Sequence, residues 1–277
     1  MNASKAPSGD QELIAKVFRF CCCHELPQRL ARLVIMSAVF DHVEIHVSDF
    51  AASRAFYGEA LGRPTVDGEL IEWGDFGITD VSEEHPLSRR LHIAFGVDSR
   101  EAVDAWWNRL TKAGYRSDGE PGPRPQYSES YYGGFILDPD GNSVEAVHHD
   151  TSRAGEIDHL WLRTRDMAAT KRFYEIVAPI VGIELRHDSP EFLHFRFDDG
   201  RGSFSFAADE QPTQNVHLAF GVPDFESAAR FHEAALAAGY RDNGPPGERP
   251  QYHPGYYGAF VFDPDSHNVE AVFHDWS

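Results

Sequence analysis

Cysteine is scarce in this chain, and the three present, Cys21, Cys22 and Cys23, stand side by side. Adjacent cysteines give neither a disulfide framework nor the spaced pairs of a structural zinc site, so a reduced, cytoplasmic protein is expected. Basic residues are also few: 25 Lys and Arg against 44 Asp and Glu leave a net charge of −19. That balance argues against nucleic-acid backbones and anionic membrane surfaces as partners, since both reward basic patches. No hydrophobic run reaches the length of a membrane-spanning helix, and the first residues lack the apolar core and cleavage site of a secretory signal. The composition that is left is that of a globular protein of 277 residues, enough for one large or two ordinary domains.

An internal repeat decides for two. From Leu91 to Asp150 the chain reads LHIAFGV…AGYR…RPQY…YYGGF…DPD…VEAVHHD, and from Val216 to Asp275 it reads VHLAFGV…AGYR…RPQY…YYGAF…DPD…VEAVFHD. The two align without a gap and place His92 and Glu145 on His217 and Glu270. Upstream, DHVEIHVSD carries His42 and DHLWLRTRD carries His159. The expected division is an N-terminal extension over 1–38 and two domains over 39–152 and 153–277, with Arg153-Ala154-Gly155 as linker. The extension is comparatively basic and has no counterpart before the second repeat. It is expected to be disordered, or to be bypassed by translation from Met36.

Each repeat reads as two shorter units. Val43, Ile45 and Val47 alternate with His42, Glu44 and His46, the period of a half-buried strand. Ser48-Asp49 then caps a helix through AASRAFYGEAL, and strands follow near Leu70–Trp73 and Phe76–Val81. The next unit opens with a strand at Leu91–Val97 and a helix at Arg100–Ala113. Two strands joined by an Asp138-Pro139-Asp140-Gly141 turn complete it. The order recurs after His159, where Pro179 should end or kink the helix MAATKRFYEIVAPIV. The expectation is four βαβββ units, two per repeat, in an α+β fold.

Strand alternation puts His42, Glu44 and His46 on one face, lining a cavity inside a curved sheet. Glu145 and Glu270 lie in apolar VEAV strands, where an unpaired carboxylate would be costly. A cation bound by two imidazoles and one carboxylate would remove that cost. Such a set with open positions suits Fe(II) and also fits Mn, Zn or Ni. A buried ion pair with Arg or Lys is the competing explanation for the carboxylates. The loops GPRPQYSESYYGGF and GERPQYHPGYYGAF are read either as packing segments or as substrate walls. Arg124, Tyr127, Tyr131 and Tyr132, with Arg249, Tyr252, His253, Tyr256 and Tyr257, could line such walls. Glu44, His46, Trp161 and Arg163 complete the candidate pockets.

These motifs resemble the vicinal oxygen chelate superfamily, which includes glyoxalase I, extradiol dioxygenases, fosfomycin-resistance transferases and bleomycin-resistance proteins. DHVEIHVSD with AFY, HIAFGV and FILDPDGNSVEAV carry the resemblance, as do DHLWLRTRD with RFY, HLAFGV and FVFDPDSHNVEAV, so that it covers residues 40–276. It implies that the four units form two glyoxalase-like incomplete-barrel domains. It also implies metal ligation by His42, His92 and Glu145, and by His159, His217 and Glu270, with Glu145 and Glu270 catalytic. Two features depart from the family. The fourth ligand of glyoxalase I has no clear equivalent in DFGIT or SFSFA, although Glu72 and Asp75 are near. The catalytic tyrosine of extradiol dioxygenases is replaced by Phe135 and Phe260.

The ligands can be grouped in two ways. Units within a repeat give His42/His92/Glu145 and His159/His217/Glu270, whereas exchanged units give His42/His217/Glu270 and His159/His92/Glu145. The function expected from the resemblance is a divalent-metal-dependent lyase or isomerase acting on a small substrate chelated through adjacent oxygens, in a monomer or homodimer. The alternatives are an Fe(II) extradiol-type dioxygenase and a metal-free protein that sequesters a drug or metabolite.

Overall fold

A computed structural model describes residues 40–152, 157–197 and 202–275. The expected N-terminal extension and the linker Arg153-Ala154-Gly155 lie outside the described residues. Among the described residues no helix is long and apolar enough to cross a membrane.

Unit one comprises β1 (His42–Val47), α1 (Phe50–Leu61), β2 (Val66–Asp67), β3 (Leu70–Trp73) and β4 (Phe76–Asp80). Unit two comprises β5 (His92–Gly96), α2 (Arg100–Lys112), β6 (Ser117–Pro123), β7 (Tyr132–Leu137) and β8 (Ser143–His148). Unit three comprises β9 (Ile157–Thr164), α3 (Met167–Val181), β10 (Ile183–Asp188), β11 (Phe192–Phe197) and β12 (Ser203–Ala208). Unit four comprises β13 (Val216–Gly221), α4 (Phe225–Ala237), β14 (Arg241–Glu248), β15 (Tyr256–Phe262) and β16 (Asn268–His274). The protein is an α+β fold of four βαβββ units.

The units pair across the repeats. One eight-stranded sheet runs β14-β15-β16-β13-β1-β4-β3-β2, joining units four and one, and the other runs β10-β11-β12-β9-β5-β8-β7-β6, joining units three and two. The seam of each sheet is an antiparallel contact between first strands, β1 with β13 and β5 with β9. The chain changes sheet twice, and the two crossing segments meet in a bridge between Arg89 and Gln214.

Alternation sets the two faces of each sheet. Val43, Ile45 and Val47 are fully buried in the core, with Phe56 and Tyr57 of α1 beside them in the same cluster. Asp49 caps α1 by accepting from the Ala52 N–H, satisfying an otherwise orphaned helix donor. Pro179 does not end its helix at once: α3 continues to Val181 and terminates at left-handed Gly182, a common helix stop.

Phe40, just before β1, and Phe220 of β13 lie 5.6 Å apart, and each meets Phe204 of the other sheet at a ring separation of 5.9 Å. Each such fully buried ring contributes roughly 1.5–3 kcal/mol. Two matched polar contacts add direction. The Tyr57 hydroxyl of α1 donates to Asp138 at 2.9 Å, and that of Tyr174 in α3 donates to Asp263 at 3.2 Å. Both reach from a helix over one sheet to the β-turn of the other, so the AFY and RFY motifs and the DPD turns fasten the sheets together.

Candidate metal centres

The seam strands bring the predicted ligands together in exchanged pairs. In the first centre, His217 Nε2 lies 3.1 Å and His42 Nε2 3.6 Å from Glu270 Oε2. In the second, His92 Nε2 lies 3.1 Å and His159 Nε2 3.5 Å from Glu145 Oε2, with the two imidazole nitrogens 3.3 Å apart. Each centre thus takes one histidine from each repeat. The grouping within a repeat is not formed, because β1 is a neighbour of β13 rather than of β5.

Glu145 and Glu270 are almost fully buried, at 1 % and 0 % exposure, and their partners are imidazoles and a phenol. Tyr131 donates to Glu145 Oε1 at 2.8 Å and Tyr256 to Glu270 Oε1 at 2.7 Å. The other oxygen of each carboxylate is left to the centre. Gly133 and Gly258 make room for this arrangement, since a Cβ at either position would overlap the carboxylate Oε1.

The first histidine of each set is oriented from behind. His42 Nδ1 lies 2.8 Å from Asp41 Oδ1, and His159 Nδ1 lies 2.8 Å from Asp158 Oδ1. Each aspartate also bridges to a further imidazole, His274 at 2.9 Å and His149 at 2.8 Å. A donor bond at Nδ1 turns Nε2 towards the centre and raises its basicity.

Burial opposes the charged forms throughout, but the ionic contacts win at several groups. His42 is raised to about 9 despite burial, by its hydrogen bond to Asp41 and the field of Glu270. His159 is raised to about 10 in the same way by Asp158 and Glu145. Burial dominates at His92 and lowers it. At Glu145 burial is outweighed by the bonds to His159 and His92, and the carboxyl is lowered. Tyr131 and Tyr256 are pushed far up by burial and the adjoining carboxylate, so both remain phenols and donors.

In each centre two imidazole nitrogens and one carboxylate oxygen lie within 4.8 Å of one another. A divalent cation satisfies all of them, and two imidazoles with one carboxylate form an established ligand set. His42, His217 and Glu270, and His92, Glu145 and His159, are each arranged so that they could hold a metal ion.

The remaining predicted residues divide by face. Glu44 and His46 lie on the site face of β1, with 3.8 Å between Glu44 Oε1 and His46 Nε2. Trp161 and Arg163 occupy the corresponding places on β9. The Arg124 and Arg249 guanidiniums lie over Phe135 and Phe260, each 5.4 Å from the ring centroid. Tyr127 and Tyr252 pack on Tyr131 and Tyr256, with ring centroids 4.9 and 4.8 Å apart. His253 Nε2 is 2.8 Å from His274 Nδ1, which joins it to the Asp41 bridge.

Tyr132 and Tyr257 are corrections. Tyr132 donates to Asp104 of α2 at 2.8 Å, and the Tyr257 ring lies 4.9 Å from Phe225 of α4. Both therefore face the helices. In an alternating strand Tyr131, Gly133 and Phe135 share the site face, so Tyr132 must take the other. The residues that sequence reasoning underweighted are the aspartates and outer histidines. Their signal was the repeated Asp-His dipeptide at 41–42 and 158–159 and the recurrence of His149 at His274.

Paired βαβββ units with a His, His, Glu set at each seam, its carboxylate buried, define the class of fold and site. The family model described as Glyoxalase/Bleomycin resistance protein/Dioxygenase superfamily matches residues 39–146 and 156–271, and the chain belongs to this superfamily. Among solved structures it is similar to glyoxalase I from Zea mays, with a TM-score of 0.61, 21% identity, and coverage of 86% of this chain and 92% of that one. It is also similar to a putative dioxygenase from Bacillus subtilis subsp. subtilis str. 168, with a TM-score of 0.61, 14% identity, and coverage of 85% of this chain and 84% of that one. Identities this low establish the common fold alone. No curated protein matches the sequence.

Proposed function

We propose that the protein is a metal-dependent glyoxalase-like enzyme of the lyase or isomerase type, acting on a small substrate held through adjacent oxygen atoms. The observation that carries this reading is the convergence of two imidazole nitrogens on one oxygen of a buried, tyrosine-anchored carboxylate, twice in one chain. His42, His217 and Glu270 would hold one divalent ion, and His92, His159 and Glu145 the other. A bound ion of this kind supplies Lewis acidity for a carbonyl or enediolate oxygen.

The protein's own groups supply proton handling. Glu145 and Glu270 present Oε2 to the centre while a phenol holds Oε1, so each carboxylate can accept a proton at a fixed position. Asp41 and Asp158 keep the imidazoles of His42 and His159 oriented during that transfer. The tyrosines and the Phe135 and Phe260 rings shield the carboxylates from bulk water, which strengthens the electrostatics at the reacting atoms.

One observation favours a second reading, an Fe(II) dioxygenase. No fourth ligand joins either cluster among the described residues, which leaves the two-histidine, one-carboxylate set with open positions. Metal-loaded protein assayed for loss of a glutathione hemithioacetal, and separately for oxygen uptake with catechols, separates the two. Hemithioacetal loss without oxygen uptake supports the lyase or isomerase. Catechol-dependent oxygen uptake alone would replace it with the dioxygenase.

A further inference from the structure

The two centres share ligand types but not the walls beside them, and the strand register allows the walls to be compared position by position. Next to His217, one cross-strand row carries Glu44, Gly77 and Glu72. The equivalent row next to His92 carries Trp161, Ser205 and His194. Where the first wall continues with His46 opposite Thr79, the second continues with Arg163 opposite Ala207.

We propose that the two centres take substrates of opposite charge. The first receives a chelating substrate that carries a cationic group, and the second an aromatic substrate that carries a carboxylate. This assignment rests on the metal-centre reading above and adds the substrate class at each centre.

The first wall has an excess of anionic charge. Glu44 accepts from the neutral Thr79 hydroxyl at 2.7 Å and lies 3.8 Å from the His46 imidazole, which burial biases towards its neutral form. Burial raises Glu72; His42 opposes this, and Glu44 and Asp41 add to it. A cation between the two glutamates would remove that repulsion. Gly77 stands between them in the row and adds no side chain of its own, the Leu70 and Glu72 side chains closing over it.

The second wall is aromatic and electropositive. The Trp161 ring packs edge-on against Phe192 at 5.7 Å, forming a flat surface beside His92. Its buried indole Nε1 has no hydrogen-bond partner among the described residues, a deficit that a carboxylate oxygen would fill. Burial first, and then the positive fields of His159, Arg196 and His187, lower His194 to about 4, so its ring is neutral and Arg163 is the charged group of this wall. Arg163 donates to the Arg90 carbonyl at 2.7 Å and lies 3.7 Å from Asp209, so part of its charge is compensated. Asp158 and Glu145 have counterparts in Asp41 and Glu270, so these carboxylates cancel in the comparison.

Dopamine and protocatechuate carry the same pair of adjacent oxygens on a catechol ring, with tails of opposite charge. Both are titrated calorimetrically into zinc-loaded full-length protein, zinc being redox-inert. Each probe should saturate one site per chain with a preference of about tenfold or more, and saturating dopamine should leave protocatechuate binding intact. Glu270→Gln should abolish the dopamine site and Glu145→Gln the protocatechuate site. Glu44→Gln with Glu72→Gln should weaken dopamine alone. The competition experiment in the unaltered protein needs no variant to fold. If both probes compete for the same two sites with equal affinity, the charge assignment is overturned and the chelation reading stands. If neither probe binds the zinc-loaded protein, both readings are overturned.

Discussion

The centre at the β1–β13 seam and the centre at the β5–β9 seam have the same inner construction and different surroundings. In both, one imidazole is backed by an aspartate, one carboxylate by a tyrosine, and one glycine makes way for that carboxylate. Beyond these, Glu44 and Glu72 stand in the first where Trp161 and His194 stand in the second. His253 extends the first bridge where the second has Ser128. Duplication has kept the residues that converge on one point and varied those beside them. The converging set tolerates little change because a burial penalty falls on the carboxylate if any partner is lost.

Substitutions that should affect the two centres equally bring the largest effects. Gly133→Ala and Gly258→Ala each place a Cβ into the ligand carboxylate. Each should destabilise the protein by about 1–3 kcal/mol and release the metal of its own centre only, as read by denaturant titration and elemental analysis. An alanine variant that keeps both metals would break the parallel.

The β-turns offer a sharper contrast. Asn142 donates to Asp138 and accepts from the Leu91 N–H, whereas its counterpart His267 is fully buried with Nε2 unpartnered. Burial lowers His267 to about 4, with Asp265 opposing. A histidine whose folded value lies below its unfolded one adds nothing above pH 6.5 and costs stability as pH falls from there towards 4. His267→Asn should therefore flatten acid destabilisation over that window, by roughly 3 kcal/mol at most, measured by urea unfolding against pH. An unchanged pH profile would contradict the burial argument.

Smaller effects test the outer groups. Tyr131→Phe and Tyr256→Phe remove one bond from a ligand carboxylate and should each weaken metal binding at their own centre by about tenfold. His253→Ser reproduces the second centre's Ser128 and should alter the first centre by only about twofold to threefold, with the second untouched. Competition with a chromophoric chelator measures both.

Much of this arrangement was legible in the sequence. The strands bearing His42, His92, His159 and His217 show plain alternation, and the ungapped repeat marks both VEAV carboxylates. The edge strands β6 and β14 escaped notice because SDGEPGP and RDNGPPGE are rich in glycine and proline, which suit an irregular sheet edge and carry no hydrophobic period. Tyr131 and Tyr256 were visible as loop residues, but only the strand start fixes which of two adjacent tyrosines faces the carboxylate. The exchange of units was not legible, because the local sequence is the same whichever first strand is the neighbour. It is set by contacts distant in sequence, at the β1–β13 seam and between Tyr57 and Asp138.

The central claim is that each centre holds its metal with one histidine from either repeat, and metal content in paired variants tests it most directly. His42→Ala combined with Glu270→Gln should damage one centre twice and leave one metal per chain. His42→Ala combined with Glu145→Gln should damage both centres and leave none. The reverse pattern, or an unaltered protein that takes up no divalent metal, would contradict the account.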